Sequence, residues 1–250
     1  MPLKEELKSQ GDWLFKNRSH LPLIVLGLGL LVFLNKEYNE METPNTWLTE
    51  GFEILSLCIS LIGLSIRIFT VGHTPKNTSG RNTKVGQVAE ELNTTGIYSM
   101  VRHPLYLGNF FMWLGVAMLT ENIWFIVSFG LFYAIYYLRI MYAEESFLRE
   151  KFGKDYFDWA KQVPAIIPSI KKYKKPKYPF NIKKVLKNEK NGFCAIFLIF
   201  WLFDELSRLT QKEPFELETR YWLFAAITAT TIYTILKIMK KRKFLNELAR

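Results

Sequence analysis

The sequence is poor in the residues that build metal sites and disulfide frameworks. Its 250 residues include two cysteines, Cys58 and Cys194, and three histidines, His20, His73 and His103. Both cysteines lie within apolar stretches, which argues against a disulfide framework or a cysteine-based zinc site. The histidines are too far apart in the chain to show metal-ligand spacing. We therefore expect no metal centre and interpret the cysteines as small buried hydrophobic residues.

Acidic residues are also few compared with basic ones. The chain has 33 Lys and Arg against 23 Asp and Glu, which gives a formal net charge of +10. On a soluble protein this excess would point to nucleic acid. Here the apolar residues occur in blocks separated by charged segments, so charge asymmetry across a bilayer explains the excess. We expect no nucleic-acid partner.

Six apolar blocks predict an all-α fold, a polytopic membrane helical bundle with about six transmembrane helices. A helix rises about 1.5 Å per residue, so a hydrocarbon core about 30 Å thick needs roughly 20 residues. The second, fourth and sixth blocks meet this length, and the others must use flanking residues. The fifth also fits a re-entrant segment. The blocks run approximately from Leu21 to Leu34, Phe52 to Gly72, Leu105 to Leu119, Ile123 to Tyr142, Gly192 to Phe203 and Tyr221 to Met239.

The charges between the blocks predict the orientation in the membrane. With the N-terminus inside, the segment 35–51 lies outside and holds one basic and four acidic residues, whereas 143–191 lies inside and holds thirteen basic and six acidic residues. This bias follows the positive-inside rule, so we expect both termini in the cytoplasm and a bacterial inner membrane as the location. The mixed charge of 1–19 predicts an interfacial segment rather than a cleavable signal peptide.

We divide the chain into three parts on this basis. Residues 1–82 hold the interfacial segment and the first two spans, and residues 83–170 hold a polar loop, the hairpin of spans three and four, and short cytoplasmic helices. Residues 171–250 hold a basic linker and the last two spans. The linker stretch 171–190 has nine lysines and one glutamate. It is expected to attract anionic lipid headgroups, although plain topology marking explains it equally well.

Polar and aromatic residues precede the third block, in the stretch GIYSMVRHPLYLG at 96–108. Pro104 fits the first turn of a helix, and the residue before a proline is pushed out of helical geometry. His103 is therefore predicted at a helix N-terminus, where unpaired N–H groups and the helix dipole favour an anion or a carboxylate. Tyr98 and Tyr106 flank this position with aromatic faces. The alternative is an interfacial anchor at headgroup depth.

Two adjacent carboxylates follow the fourth block. Glu144 and Glu145 do not share a helix face. A carboxylate at this depth is costly unless it meets a cation, and the candidates are Arg102, Arg139 or a cationic ligand. Arg139 lies within the fourth block, where it either snorkels to the interface or clamps an anion. The alternative for both glutamates is a solvated helix end.

Together these two motifs resemble the isoprenylcysteine carboxyl methyltransferase and phospholipid methyltransferase superfamily. The first half reads G-x-Y-x(3)-R-H-P-x-Y-x-G from Gly96 to Gly108. The second half reads E-E-x(2)-L-x(3)-F-G-x(2)-Y, followed by V-P-x(2)-I-P, from Glu144 to Pro168. The resemblance covers residues 83–168 and implies a membrane methyltransferase that binds S-adenosylmethionine under a cytoplasmic helical cofactor cap.

The resemblance also implies roles for particular residues. Arg102, Arg139 and Glu145 are expected to act in catalysis or acceptor binding. In the superfamily a basic residue often stands one helical turn before the first glutamate, where this chain has Ile140. Glu144 is expected to hold the amino end of the cofactor. The full set of expected cofactor-binding residues is Gln87, Leu92, Asn93, Tyr98, His103, Pro104, Leu105, Tyr106 and Glu144.

The surplus of cations bears on the acceptor. An anionic acceptor is already nucleophilic and needs positioning by cations, whereas an amine needs a base to remove its proton. Arg102, Arg139 and the lysines favour a membrane-embedded, lipid-like acceptor with an anionic group. A lipid phosphate comes first, a prenylcysteine carboxylate second and an amine headgroup third. The non-enzyme alternative is a catalytically silent membrane scaffold or a transporter-like bundle.

Overall fold

A computed structural model of the protein describes residues 2–39, 46–75, 87–212 and 214–245. Within these ranges the regular structure is helical, apart from one isolated bridge between Gly96 and Lys174. This confirms the predicted all-α class. The seven helices in these ranges are α1 (Leu3–Asn17), α2 (Leu21–Asn39), α3 (Thr46–Gly72), α4 (Pro104–Met118), α5 (Ile123–Ala160), α6 (Ile182–Thr210) and α7 (Tyr221–Lys241).

Four of the described helices are long and apolar enough to cross a membrane, namely α2, α3 from Gly51 onward, α5 and α7. Helix α4 is apolar but has only 15 residues, and α6 carries charged residues close to its apolar centre. The count of six spans therefore stays a prediction. Large apolar side chains are exposed along these helices, including Leu28, Trp124, Leu131 and Phe224. An apolar exterior of this kind suits lipid, and the chain is an integral membrane protein.

Small residues bring α3 and α4 into close contact. A Cβ atom added to Gly63 would lie 2.4 Å from the Gly108 carbonyl oxygen, and one added to Gly115 would lie 2.1 Å from Ser60 Oγ. The Ser60 hydroxyl donates a hydrogen bond to the Met112 carbonyl oxygen at 3.1 Å. Membrane helices associate largely through such small-residue contacts, because lipid tails are as apolar as leucine. The contact fixes the face of α3 that meets α4.

A tight turn joins α4 to α5, as the sequence predicts. Glu121 adopts a positive φ of 49°, and the Asn122 side chain accepts a hydrogen bond from the Phe125 N–H at 3.0 Å, which caps α5. Further along the hairpin, the rings of Phe110 and Tyr133 pack edge to face with centroids 5.2 Å apart. The two helices are therefore antiparallel neighbours, and the start of α4 lies near the far half of α5.

Helix α5 continues beyond the membrane and bends at Gly153, whose φ of 50° and ψ of −121° interrupt the helix. The bend carries Tyr156 back to the loop before α4, where its hydroxyl oxygen lies 3.3 Å from Arg102 Nη1. Helix α1 packs along α5 on another side, because Gly11 leaves no room between the two backbones and Lys8 pairs with Glu150 at 2.6 Å. The N-terminal segment is thus a docked helix, which the sequence reasoning did not predict.

The close approach of α3 and α4 predicts a strong position dependence of glycine substitutions. We expect Gly63→Leu to destabilise the protein by about 1–3 kcal/mol or to prevent folding, because the side chain would overpack a backbone contact. Thermal unfolding of the detergent-solubilised protein measures the effect. Gly27→Leu is the matched control, since a Cβ added to Gly27 on α2 meets nothing within 4 Å. Equal losses for the two variants would contradict this account of the helix contact.

Candidate functional site

The loop before α4 is held in place by the segment that follows α5. Gly96 adopts a φ of 62°, and its N–H donates to the Lys174 carbonyl oxygen at 2.9 Å. The Arg102 N–H donates to the Pro164 carbonyl oxygen, also at 2.9 Å. These bonds satisfy backbone groups of two segments distant in sequence. They explain why the motif loop and the V-P-x(2)-I-P stretch belong to one pattern.

A second contact closes the same loop from the side of the lysine-rich stretch. The Tyr178 hydroxyl donates to a Glu91 carboxylate oxygen at 2.6 Å, and Lys177 Nζ lies 2.5 Å from the other oxygen. Both hydrogen bonds stabilise the charged carboxylate and hold the pKa of Glu91 below its usual value. The bond from Lys177 has the larger effect, and the bond from Tyr178 follows. Glu91 is therefore ionised at neutral pH and links the loop to the lysine-rich stretch at the edge of the site.

His103 connects the start of α4 to both glutamates of α5. It is the N-cap residue of α4, with Pro104 at the first helical position. Its Nε2 lies 2.9 Å from Glu145 Oε1, whereas its Nδ1 lies 3.8 Å from Glu144 Oε2. Arg102 Nη1 lies 3.0 Å from the same Glu145 oxygen. Glu145 is thus engaged by two neighbours and organises the loop, while Glu144 makes the longer contact and lines the cavity.

Aromatic rings surround Glu144. The His103 and Tyr106 rings stack with centroids 5.7 Å apart, and the Tyr106 and Tyr137 centroids lie 5.1 Å apart. Tyr106 and Glu144 line the same cavity. The Tyr133 hydroxyl donates to the Tyr106 carbonyl oxygen at 2.7 Å and ties the two helices together. The carboxylate therefore sits beside a row of aromatic faces, an arrangement that suits a cationic ligand.

Tyr98 lies under the bent end of α5. Trp159 Nε1 donates to the Tyr98 carbonyl oxygen at 3.1 Å. Burial, and after it the negative charge of Glu144, raises the pKa of the Tyr98 phenol above its usual value. At neutral pH Tyr98 is therefore an uncharged ring that can contact a cation and cannot serve as a base.

A chamber of about 540 Å³ opens beside these groups, bounded by α3, α4 and α6. Towards the end of α3 and the starts of α4 and α6 its wall is polar, with Arg67, Asn109 and Glu189 in addition to Glu144. Further along α4 and α6 the lining becomes apolar, with Met112, Trp113, Val116, Ile196 and Ile199. The chamber, as we call it below, is therefore amphipathic and large enough for part of a drug-sized ligand.

A narrower cleft continues from the chamber beneath the bent end of α5 and shares Tyr98, Arg102, His103 and Glu144 with it. Within the described residues, two buried nitrogens of this cleft have no hydrogen-bond partner, namely Gln87 Nε2 and Arg102 Nε. An unsatisfied buried donor costs about 1–3 kcal/mol. The cleft is therefore suited to a ligand that brings hydrogen-bond acceptors.

An apolar cavity of about 390 Å³ lies on the other side of the same wall, between α4 and α5. Phe110, Phe111, Tyr133, Ile166 and Ile167 contribute to its lining. Three rings, those of His103, Tyr106 and Tyr137, line both this cavity and the chamber. We call these three residues the ring wall, because they separate the amphipathic chamber from the apolar cavity.

The structure brings eleven of the twelve predicted site residues together around the cleft and the chamber. Their individual roles stay predictions. Within the described chain no group of three or more His, Cys, Asp or Glu side chains has a geometry for a metal ion. The eleven residues are Gln87, Leu92, Asn93, Tyr98, Arg102, His103, Pro104, Leu105, Tyr106, Glu144 and Glu145.

Arg139 is the exception. Its Nε donates to Gln10 Oε1 at 2.9 Å, and its Nη1 donates to the Ile135 carbonyl oxygen at 2.7 Å. Two residues along a helix correspond to a turn of about 200°, so Arg139 points away from the face on which Tyr137 and Met141 line the cavity. Contrary to the expectation from the sequence, the structure places this guanidinium against α1, outside the cleft, the chamber and the apolar cavity.

Sequence reasoning missed three polar residues of the chamber. Arg67, Asn109 and Glu189 form one hydrogen-bonded cluster there. Two signals could have found it, since Arg67 is the only basic residue of the second apolar block and Glu189 is the only acidic residue of the lysine-rich stretch. An ionisable residue within a span marks a functional position by default.

Comparison with known proteins agrees with the geometry. Residues 54–155 match the phospholipid methyltransferase family model. A protein-S-isoprenylcysteine O-methyltransferase of Tribolium castaneum is 31% identical over 123 residues, which are 48% of this chain and 43% of that protein. The enzyme of the same name from Schizosaccharomyces pombe is 41% identical over 80 residues, which are 32% of this chain and 34% of that protein.

A bacterial relative carries a different name. The nickel-cobalt-cadmium resistance protein NccN of Alcaligenes xylosoxydans is 36% identical over 85 residues, which are 34% of this chain and 39% of that protein. The match thus spans less than half of each of these three relatives, and no solved structure matches the chain significantly. The family match at 54–155 includes the first motif and both glutamates of the second, and this part of the chain is similar to the superfamily of isoprenylcysteine carboxyl methyltransferases and phospholipid methyltransferases.

Proposed function

We propose that this protein is a membrane methyltransferase that transfers a methyl group from S-adenosylmethionine to a membrane-embedded, lipid-like acceptor with an anionic group. The observation that carries the proposal is the ring wall, which borders the amphipathic chamber, with its Glu144 and Arg67, on one side and an apolar cavity on the other. A water-soluble donor and a membrane-soluble acceptor can meet across such a wall in a fixed orientation. Holding two reactants in this way removes much of the entropic barrier to their reaction.

The lining of the cleft and the chamber fits S-adenosylmethionine. Glu144 would hold its amino group, and the faces of Tyr98 and Tyr106 would contact its sulfonium. The partnerless donors Gln87 Nε2 and Arg102 Nε match its carboxylate, ribose and adenine acceptors. Leu92, Asn93, Pro104 and Leu105 would complete the walls. When bound, S-adenosylmethionine supplies an electrophilic methyl group.

An anionic acceptor explains the protein groups present. A phosphate or carboxylate oxygen is already nucleophilic, so the residues of the site need to orient it and exclude water, and no general base is required. The apolar cavity would take the hydrocarbon part of the acceptor. We rank a lipid phosphate first, and the prenylcysteine carboxylate that the names of two relatives support is the alternative. An aminolipid is the third candidate, and a silent scaffold is the non-enzyme alternative.

The charge distribution supports a matching topology. We propose that both termini and the cleft lie on the cytoplasmic side of a bacterial inner membrane, with the lysine-rich stretch at anionic headgroups. The proposal keeps the division of the chain into 1–82, 83–170 and 171–250, with the middle part as the methyltransferase core. This places the cofactor cap where S-adenosylmethionine is made.

Three acceptors with the same hydrocarbon chain test the proposed function. We expect the purified protein in lipid nanodiscs to transfer labelled methyl from S-adenosylmethionine to farnesyl phosphate or to N-acetyl-S-farnesylcysteine, and not to farnesylamine. Calorimetry gives the affinity for S-adenosylmethionine in the same preparation. Label recovered in farnesylamine alone would overturn the anionic preference, and a protein that neither binds the donor nor transfers label would be the scaffold.

Glu144→Gln tests the assignment of the donor site. We expect its dissociation constant for S-adenosylmethionine to rise about 10- to 100-fold, because a hydrogen bond to a charged group is lost. Isothermal titration calorimetry measures this change. Glu150→Gln is the control, since Glu150 lies on the same helix, is exposed and pairs only with Lys8 at 2.6 Å among the contacts described. The assignment is wrong if both variants bind the donor as the unmodified protein does.

Gly130→Phe tests the role of the apolar cavity. Gly130 lines this cavity, and a Cβ added there meets nothing within 4 Å, so the ring can enter the space without a backbone clash. We expect kcat/KM for the farnesyl acceptors to fall roughly tenfold or more, because even one misplaced methylene group in a pocket has an effect of this size. The affinity for S-adenosylmethionine should not change.

Gly27→Phe adds the same bulk on α2, where a Cβ also meets open space. This control should keep full activity with the farnesyl acceptors. A Gly130→Phe protein that uses the farnesyl acceptors as well as the control does would exclude the cavity as their binding site.

A further inference from the structure

Arg67 is a cation inside a membrane-spanning helix. It lies five residues before the end of α3, and its side chain is 22% exposed. Ionisable side chains within spans are expensive and are kept where they pair with one another or meet a substrate. Arg67 also lines the chamber, so its exposed part faces the space between α3, α4 and α6.

The guanidinium of Arg67 is held rigidly on two sides. Nε and Nη2 donate to the two carboxylate oxygens of Glu189 at 2.7 and 2.9 Å. Nη1 donates to Asn109 Oδ1 at 2.7 Å. The Glu189 side chain is only 5% exposed. A two-pronged contact with a buried carboxylate fixes the plane of the guanidinium as well as its position.

Two N–H groups of Arg67 remain after these bonds are counted. One is on Nη1 and the other on Nη2, and the residues that the structure describes offer no partner for either. Two other arginines line the chamber. Arg102 Nη1 contacts Glu145 and Tyr156, and Arg18 Nη1 donates to the Phe15 carbonyl oxygen at 3.2 Å. Arg67 is the arginine that a buried carboxylate holds in a fixed plane, and it offers the chamber two further N–H donors.

The Arg67 cluster also adjoins the ring wall. Asn109, which accepts from Arg67, lines the chamber together with Tyr137, and Tyr137 also lines the apolar cavity. A group that crosses the wall from the cavity thus arrives beside Asn109 and the free N–H groups of Arg67. N–H groups donate and cannot accept, so they suit an oxyanion and not an ammonium group.

We propose that Arg67 binds the oxyanion of the acceptor and that Glu189 is the residue that positions Arg67. The proposal rests on the proposed function and gives it a specificity site. A planar fork of two N–H donors fits a carboxylate or a phosphate, and a lysine cannot reproduce it. Glu189 lies on α6, outside the matched residues 54–155. Arg67 and Asn109 lie within the matched residues, so the proposed acceptor site combines matched residues with a residue of α6.

Equilibrium binding separates this site from catalysis. Nanodisc-embedded protein is titrated with radiolabelled N-acetyl-S-farnesylcysteine, farnesyl phosphate and farnesylamine, and S-adenosylmethionine affinity is measured in parallel. For Arg67→Gln we expect affinity for the two anions to fall about 10- to 100-fold, since hydrogen bonds to a charged group are lost. Binding of farnesylamine and of S-adenosylmethionine should not change.

Two further variants test the geometry. Arg67→Lys keeps the charge without the fork, so we expect it to recover only part of the anion affinity. Glu189→Gln keeps Arg67 but weakens the contact that fixes its guanidinium. We expect a rise in KM for the anionic acceptor with little change in kcat. The anion with the larger loss in Arg67→Gln identifies the acceptor class as phosphate or carboxylate.

Arg208→Gln is the matched control for a merely structural role. Arg208 Nε lies 3.0 Å from Asp204 Oδ1 near the other end of α6, and the two side chains are 16% and 10% exposed, close to the burial of the Arg67–Glu189 pair. This variant should bind both anions normally. An equal loss in Arg208→Gln, an equal loss of farnesylamine in Arg67→Gln, or unchanged anion binding in Arg67→Gln would each overturn the proposal.

The outcome also distinguishes the two proposals. If the unmodified protein binds the anions through Arg67 but transfers no methyl to them, the oxyanion site stands and the proposed function fails. If it transfers methyl to an anion and Arg67→Gln does so with the same KM, the function stands and the oxyanion site fails.

Discussion

The site depends on the ability of one carboxylate to hold an arginine and a histidine at the boundary of the membrane. Glu145 contacts His103 at 2.9 Å and Arg102 at 3.0 Å, and these contacts fasten α5 to the start of α4. Without these contacts Arg102 would lie half-buried beside His103 with no counter-charge. Because Glu145 is used in this way, its neighbour Glu144 is left to line the cavity, and the two adjacent glutamates have different tasks.

Much of this arrangement could be predicted from the sequence. The apolar blocks located the helices from α2 onward, and Pro104 located the start of α4. These features share a physical basis, because each is decided by local backbone preference or by the length of an apolar run. The site residues came instead from the resemblance to a known superfamily, and the fold brings eleven of those twelve residues together.

The rest could not be predicted because it depends on how the helices are rotated against one another. Sequence spacing placed Arg139 at a suitable depth but left open which way it faces, and the packing of Gly11 against α5 turns that face towards α1. Arg67 and Glu189 are separated by 122 residues, and neither belongs to a recognisable motif. Only the small-residue contact between α3 and α4, together with the docking of α6, brings them to the same chamber as Tyr137.

The ring wall affects how ligands enter and leave the protein. His103, Tyr106 and Tyr137 divide one space from the other, so under the proposed function the two ligands do not share a path. In that case spent nucleotide would return to water past Glu91, and the methylated lipid would leave between α4 and α5 into the leaflet. The two products could then leave independently. Turnover would need no rigid-body motion of the helix bundle of the kind that transporters use.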